Sequence, residues 1–164
     1  MKLSTRGRYA LRVMIDLADN VSEDESTHLV KLKDVAERQE ISKDYMVHLV
    51  TALKTAGLVR SSSGKNGGYA LSLPPDQIKV LDIVEAAIGS INILDCLKDE
   101  TLCHRMKECR SRKVWNVVNE KIKEMLASIT LEQITETDCD LNKLFLDESN
   151  LEAMGSPAVC GAQK

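Results

Sequence analysis

Hydrophobic residues near the start of the chain recur with the period of an α-helix. From Ala10 onward, apolar side chains fall at i, i+3, i+4, i+7 and i+8 within residues 4–20. This spacing predicts an amphipathic helix with Ser4 as its N-cap. A short strand-like run follows at residues 28–30, and a second helix is expected over residues 32–39.

A third helix is predicted from its N-cap Ser42 to about Ala56, where Gly57 supplies the residue type that ends helices with a positive φ. Its core-facing stripe consists of Met46, Leu49, Val50 and Leu53. The opposite face carries small and hydrogen-bonding side chains. A helix with these two faces is suited to a DNA major groove.

Two β-capable runs, at residues 58–62 and 68–73, flank the loop SGKNGG and predict a β-hairpin. Three helices followed by a hairpin are the element order of a winged helix-turn-helix. We therefore expect a mainly α fold with a small β-hairpin. The DNA-binding domain is expected to span residues 1–75 and to end at Pro74 and Pro75.

Residues 76–137 are expected to form a second unit with a cysteine loop and dimerisation helices. A short amphipathic helix is predicted over residues 78–88, a long one from Ser111, and a last short one after the capping box that begins at Thr130. The long helix has a broad apolar stripe that the short helices cannot cover, so we expect a two-fold homodimer. The predicted interface residues are Val114, Trp115, Val118, Ile122, Met125 and Ile129.

Composition narrows the functional classes. The chain has 164 residues, of which 43% are hydrophobic, 29% charged and 3% aromatic. So few aromatic residues argue against the base-stacking surfaces that bind single-stranded nucleic acids. No apolar run is long enough for a membrane span and no signal peptide is evident, so we expect a cytoplasmic protein without a membrane partner. Residues 138–164 are thinly apolar and are expected to be a flexible tail.

Charge is distributed unevenly along the chain. Residues 1–75 carry 11 Lys and Arg against 9 Asp and Glu, whereas residues 76–164 carry 11 against 16. The N-terminal part is therefore the better candidate for nucleic-acid binding.

The spacing of three cysteines, Cys96-x6-Cys103-x5-Cys109, is a candidate metal or redox motif. Structural zinc sites favour closer C-x₂₋₄-C pairs, which shifts weight towards an iron-sulfur cluster. The spacing alone does not exclude three alternatives: a thiol sensor without metal, a zinc site, and ordinary buried cysteines. Cys139 and Cys160 receive no functional assignment.

Several segments together resemble a known family. They are MKLSTRGRYAL, DVAERQEISKDYM, LKTAGLVRS, GKNGGYALS and ITLEQI, together with the three cysteines before the long helix. Over roughly residues 1–137 the chain is similar to the Rrf2 family of bacterial transcription regulators, and within it to the IscR-like regulators of iron-sulfur cluster biogenesis. The resemblance implies a homodimeric winged-helix regulator, expected to be a repressor, that binds a palindromic operator in double-stranded DNA.

The resemblance also implies an iron-sulfur cluster on Cys96, Cys103 and Cys109, with [2Fe-2S] favoured over [4Fe-4S], and we expect operator binding to respond to this cluster. IscR-like proteins have a histidine three residues after the last loop cysteine, where this chain has Arg112. A guanidinium stays protonated and is not a ligand. The fourth ligand is therefore open, and His104 is one candidate.

The winged-helix arrangement places the predicted DNA contacts on three elements. The first helix of such modules lies against the DNA backbone, the third enters the major groove, and the wing reaches phosphate or the minor groove. The predicted contact residues are Arg6, Arg8, Ser42, Lys43, Asp44, Tyr45, His48, Thr51, Lys54, Lys65, Asn66 and Gly67.

Two alternatives remain beside a cluster-responsive regulator. One is a cluster-free Rrf2-type regulator that senses thiol redox state or a partner protein. The other is a small iron-sulfur redox protein. We do not expect an enzyme, because no nucleophile–base pair is recognisable and GKNGG is too short for a P-loop.

Overall fold

The computed structural model describes residues 4–20, 29–64, 67–103 and 108–135. The helices are α1 (Thr5–Asp19), α2 (Leu32–Gln39), α3 (Lys43–Thr55), α4 (Val80–Ile88), α5 (Asp95–Lys98), α6 (Arg110–Ser128) and α7 (Leu131–Thr135), and the strands are β1 (Val59–Ser62) and β2 (Gly68–Leu71). Short 3₁₀ turns cover Pro75–Gln77 and Glu100–Leu102. The predicted class, mainly α with one β-hairpin, is confirmed. No helix in the described ranges has the length and apolar character needed to cross a membrane.

The hairpin is antiparallel, with Val59 opposite Leu71 and Ser62 opposite Gly68. Val30 extends the sheet by one bridge, because its backbone exchanges two 2.8 Å hydrogen bonds with Tyr69. A Cβ on Gly68 would lie 2.7 Å from the Val30 carbonyl oxygen. This close approach therefore requires glycine at the start of β2.

The predicted helix ends are confirmed by their caps. The Ser42 hydroxyl accepts a hydrogen bond from the Tyr45 backbone N–H, and Gly57 follows α3 with a φ of 77°. The Thr130 N–H donates to the Gln133 side chain at 2.9 Å, and the Gln133 N–H donates to the Thr130 hydroxyl at 3.4 Å. These local hydrogen bonds satisfy backbone donors that the helices leave unpaired.

Two boundaries differ from the sequence predictions. The helix expected over residues 78–88 begins at Val80, because Ile78 and Lys79 are extended and pair with the chain before α7. The Val80 N–H donates to the Ile129 carbonyl and the Leu131 N–H to the Ile78 carbonyl. The segment expected to be irregular before α6 contains α5 and a 3₁₀ turn.

A single core joins the predicted DNA-binding domain to the chain beyond it. Val13 and Met14 of α1 and Leu49 of α3 are buried together with Ile83 of α4 and Leu131 of α7. The core therefore continues across residue 75, and the winged helix packs together with α4 and α7.

Helices α1 and α4 meet at Gly7. A Cβ on Gly7 would lie 3.3 Å from a methyl group of Val84. The absence of a side chain at Gly7 thus lets α1 and α4 pack closely.

An ion pair between the buried Asp16 carboxylate and the exposed Arg38 guanidinium fixes α2 against α1. The Asp16 side chain is 1% exposed and accepts hydrogen bonds from the Arg38 guanidinium and, at 2.8 Å, from the Gln39 amide. Arg12 donates to both the side chain and the backbone carbonyl of Gln39. Because α2 leads directly into α3, this network sets the position of the helix-turn-helix. The sequence analysis assigned no role to these four residues.

The Arg38→Met variant tests this network. Among the described residues, it leaves the buried carboxylate with the Gln39 amide as its one hydrogen-bond donor. We expect a loss of about 2–4 kcal/mol in the free energy of unfolding. Urea unfolding followed by circular dichroism measures it.

The matched control is Lys33→Met on the same helix. The Lys33 ammonium pairs with Glu37 at 3.5 Å, and both side chains are exposed. A loss below about 1 kcal/mol is expected there. Equal losses in the two variants would contradict the assigned role of the Asp16–Arg38 pair.

Candidate nucleic-acid interface and cysteine segment

Helix α3 presents one buried and one exposed face. The residues Met46, Leu49, Val50 and Leu53 are buried in the core as predicted. Most predicted DNA contacts lie on exposed surface: Arg6, Arg8, Ser42, Lys43, Asp44, His48, Thr51 and Lys54. The outward face of α3 is therefore accessible and carries the polar groups that the sequence places on it.

Tyr45 differs from the other predicted contacts because it is half-buried. Its ring packs edge-on against Tyr9 with centroids 5.9 Å apart. The guanidinium groups of Arg8 and Arg12 each lie 5.4 Å from the centre of the Tyr9 ring. Tyr45 thus joins α3 to α1, and two cations lie beside this contact. The pattern Arg-Tyr-x-x-Arg at residues 8–12 was the available signal for Tyr9 and Arg12.

Hydrogen bonds also define what α3 offers to DNA. The Lys54 ammonium donates to the Ser61 hydroxyl at 2.7 Å, which connects the end of α3 to β1 of the hairpin. The Thr51 and Thr55 hydroxyls donate to the carbonyls of Val47 and Thr51 at 2.7 and 2.9 Å. The two threonine protons are therefore used within the helix.

The hairpin turn is tight on the side that the structure describes. The Gly67 N–H donates to the Gly64 carbonyl at 3.0 Å, and a Cβ on Gly67 would lie 2.5 Å from the Ser62 carbonyl oxygen. Glycine is required there by space. The predicted contacts Lys65 and Asn66 lie outside the described residues.

The three cysteines occupy separate local structures. Cys96 lies in α5, Cys103 follows the second 3₁₀ turn and Cys109 is the N-cap of α6, and all three are half-buried free thiols. Within the described ranges, no group of three or more His, Cys, Asp or Glu side chains is placed to hold a metal ion. Cys96, Cys103 and Cys109 therefore do not form one such group in this arrangement. His104 lies outside the described residues.

Arg112 contacts two of these cysteine positions. Its Nε donates to the Cys96 carbonyl at 3.2 Å. The pKa of the Cys109 thiol is lowered, chiefly by the hydrogen bond with the Ser111 hydroxyl, then by the backbone N–H of Arg112, with a smaller effect of the Arg112 charge. Arg112 therefore positions this segment, whereas the sequence analysis considered it only as a missing ligand.

Asn119 fixes the chain that leads into the cysteine segment. It is 1% exposed; its Oδ1 accepts from the Ile93 N–H at 3.0 Å and its Nδ2 donates to the Ile91 carbonyl at 3.4 Å. A polar residue within the apolar stripe of α6 was the sequence signal for this contact. Asn119 and Arg112 together attach residues 91–96 to α6.

The apolar stripe of α6 divides into two parts. Its first half is exposed, with Val114 at 61%, Trp115 at 44% and Val118 at 39%. Val117, which the sequence analysis did not include, is also exposed. Ile122 and Met125 are half-buried and line a shallow apolar groove.

Ile129 differs from the rest of the predicted interface. It lies just after α6 and packs against Val80, Val84 and Ile91 of its own chain. The pairing of its carbonyl with the Val80 N–H holds it there. Ile129 therefore belongs to an intramolecular cluster rather than to the exposed stripe.

Comparison with known proteins identifies the family. Residues 3–137 match the family model named Rrf2, described as an iron-dependent transcriptional regulator. The chain belongs to the Rrf2 family. Its relatives are transcription regulators rather than enzymes, so this Rrf2 protein is a DNA-binding transcription regulator.

Relatives of two kinds are similar to this Rrf2 protein. CymR of Bacillus subtilis is 38% identical over 134 residues, covering 82% of this chain and 89% of CymR. IscR of Aliivibrio salmonicida is 34% identical over 153 residues, covering 93% of this chain and 87% of that protein.

Solved structures agree with this winged-helix assignment. The structure of B. subtilis CymR, titled the global cysteine regulator, has a TM-score of 0.65 at 36% identity and covers 82% of this chain and 96% of its own. The structure of T. potens IscR has a TM-score of 0.62 at 32% identity and covers 100% of this chain and 94% of its own.

The Ser111→Ala variant tests the geometry at Cys109. Loss of the hydroxyl removes the largest cause of the lowered thiol pKa, so the thiolate fraction at pH 7 falls and alkylation of Cys109 slows. Above about pH 10 both proteins are fully thiolate and their rates converge. Mass spectrometry of metal-free protein measures each site, with Cys103 as the internal control. Unchanged Cys109 kinetics at pH 7 would contradict the assigned hydrogen bond.

Proposed function

We propose that this Rrf2 protein is a homodimeric repressor that binds a palindromic operator through α3 and the hairpin. The observation that carries the proposal is the exposed outer face of α3, whose other face is fully buried and whose end is joined to the hairpin by Lys54. A rigid helix with exposed hydrogen-bonding groups can enter a major groove without losing much conformational entropy. Residues 1–75 supply the DNA contacts in this proposal.

Phosphate contacts are assigned to the basic residues around this face. Lys43 begins α3, and Arg6 and Arg8 lie in the first turns of α1. All three are exposed. We assign Asp44, His48 and Thr51 to contacts with base edges. We assign the N-terminal end of α3, together with Ser42, to contacts with the DNA phosphate backbone.

The dimer is supported by the exposed first half of the α6 stripe. Val114, Trp115, Val117 and Val118 present adjacent apolar surface that no described residue of the same chain covers. Burying it against a second copy removes apolar surface from water. A two-fold arrangement also places two α3 helices on half-sites about one helical turn of DNA apart, roughly 34 Å.

We further propose that Cys96, Cys103 and Cys109 hold an iron-sulfur cluster, with [2Fe-2S] favoured over [4Fe-4S], and that operator affinity responds to the state of this cluster. The donor chemistry fits, since three free thiols lie in one short segment and the hydrogen bond with Ser111 lowers the pKa of the Cys109 thiol. When bound, the cluster supplies iron–thiolate bonds that link this segment to the start of α6. The similarity to IscR supports this assignment, and the fourth ligand is left open.

A cluster-free thiol sensor is the second candidate function. It is favoured by the separate placement of the three cysteines and by the absence of a metal-holding group within the described ranges. The similarity to CymR, which is described as the global cysteine regulator of B. subtilis, is consistent with it. In both functions, a change at the thiols reaches α6 through Arg112.

The DNA assignment is tested by the Lys43→Ala variant. Removal of one phosphate contact weakens binding to all sequences and lowers the slope of log affinity against log salt by about one unit. Fluorescence anisotropy at several salt concentrations measures the slope. Lys113→Ala, an exposed lysine at the start of α6, is the control and leaves the slope unchanged. A normal salt slope with altered base preference for Lys43→Ala would refute the phosphate contact.

The cluster assignment is tested on protein purified without oxygen or chelator. We expect near-stoichiometric iron and acid-labile sulfide per chain and a visible absorption band, both lost in Cys103→Ser. Lys113→Ala is the control, because it removes an exposed ammonium that cannot be a ligand at the start of α6, and it retains both. Absence of iron and sulfide from the unaltered protein would remove the cluster and leave the thiol sensor.

A further inference from the structure

Val47 is an anomaly on the exposed face of α3. Its side chain is 51% exposed, and within the described parts of residues 4–71 it is the only large hydrophobic side chain left exposed. The apolar stripe on α6 has the proposed dimer to cover it. Val47 lies on a different surface, among the residues assigned to DNA.

The neighbouring Thr51 makes the same surface less polar than its sequence indicates. Its hydroxyl proton is donated to the Val47 carbonyl at 2.7 Å. What remains available to a ligand is the methyl group and an oxygen that can accept but not donate. Val47 and Thr51 lie one helical turn apart on the same side of α3, so their methyl groups form one short apolar strip.

Thymine is the base that presents a methyl group in the major groove, and valine or threonine methyl groups match it by apolar contact. Valine in a helix has essentially one side-chain rotamer, so this contact costs little conformational entropy. Resting on the proposed DNA-binding function, we infer that the Val47–Thr51 strip selects operator half-sites that place thymine methyl groups against α3. The two residues act as specificity-determining residues.

The test pairs methyl removal in the protein with methyl removal in the DNA. Operators are first selected from random duplex DNA by the full-length protein. Two preparations are used, one isolated without oxygen and one treated with a chelator. Each thymine of one half-site is then replaced singly by deoxyuridine, which lacks only the methyl group. Operator affinities are measured for the unaltered protein and for the variants Val47→Ala and Thr51→Ser. Both variants change only exposed atoms.

For the unaltered protein, we expect uracil at one or two positions to lower operator affinity about fourfold each, as the burial of one methyl group predicts. In Val47→Ala or Thr51→Ser the same replacements change affinity by less than about 1.5-fold, because the partner methyl is already absent. Thr55→Ser is the control: its hydroxyl makes the same type of bond one turn further on, and it retains the full uracil effect.

Three results overturn the inference. If an operator is selected but no thymine-to-uracil replacement changes its affinity, the methyl contact is refuted and DNA binding stands. Val47 is then available to a protein partner. A uracil effect of equal size in Val47→Ala and Thr51→Ser refutes the assignment to these residues. Failure to select any operator overturns the proposed DNA-binding function, and this inference with it.

Discussion

The arrangement of this protein depends on the packing of α1 against its neighbours on several sides. Gly7 lets α4 approach within van der Waals contact, while Val13 and Met14 contribute to the core shared with α3. The buried Asp16 carboxylate holds α2 through an ion pair with the exposed Arg38 guanidinium. A carboxylate in that position is costly unless its partners stay in place, so the pair strongly constrains how α2, and after it α3, is oriented.

The same packing gives a physical route between the two ends of the molecule. The cysteine segment is attached to α6 by Arg112 and Asn119, α6 packs on α4, and α4 packs on α1. α1 contacts α3 through the Tyr9–Tyr45 ring pair. A continuous series of packed helices therefore connects the cysteine segment to the DNA-binding face. Coupling between the two sites additionally requires that these helices have two arrangements whose equilibrium both sites shift.

Much of the fold could be predicted because its signals are local. The Ser42 cap, the stop at Gly57 and the capping box at Thr130 each involve residues within a few positions of one another. Contacts between distant segments could not be predicted in this way. The pairing of Asp16 with Arg38 spans 22 residues, and nothing in the spacing distinguishes this carboxylate from the exposed ones. For the site, the exposed face of α3 was predictable by period, whereas the half-burial of Tyr45 depends on Tyr9 of another helix.

The central claim is that the chemical state of the cysteine segment sets operator affinity. The most direct test compares the affinity for one selected operator of protein kept without oxygen, the same protein after chelation, and a variant with serine at Cys96, Cys103 and Cys109. Coupling between two sites of a small protein typically changes affinity about 5- to 150-fold. The account predicts a difference in that range between the untreated protein and the serine variant. Equal affinities in all three would contradict it.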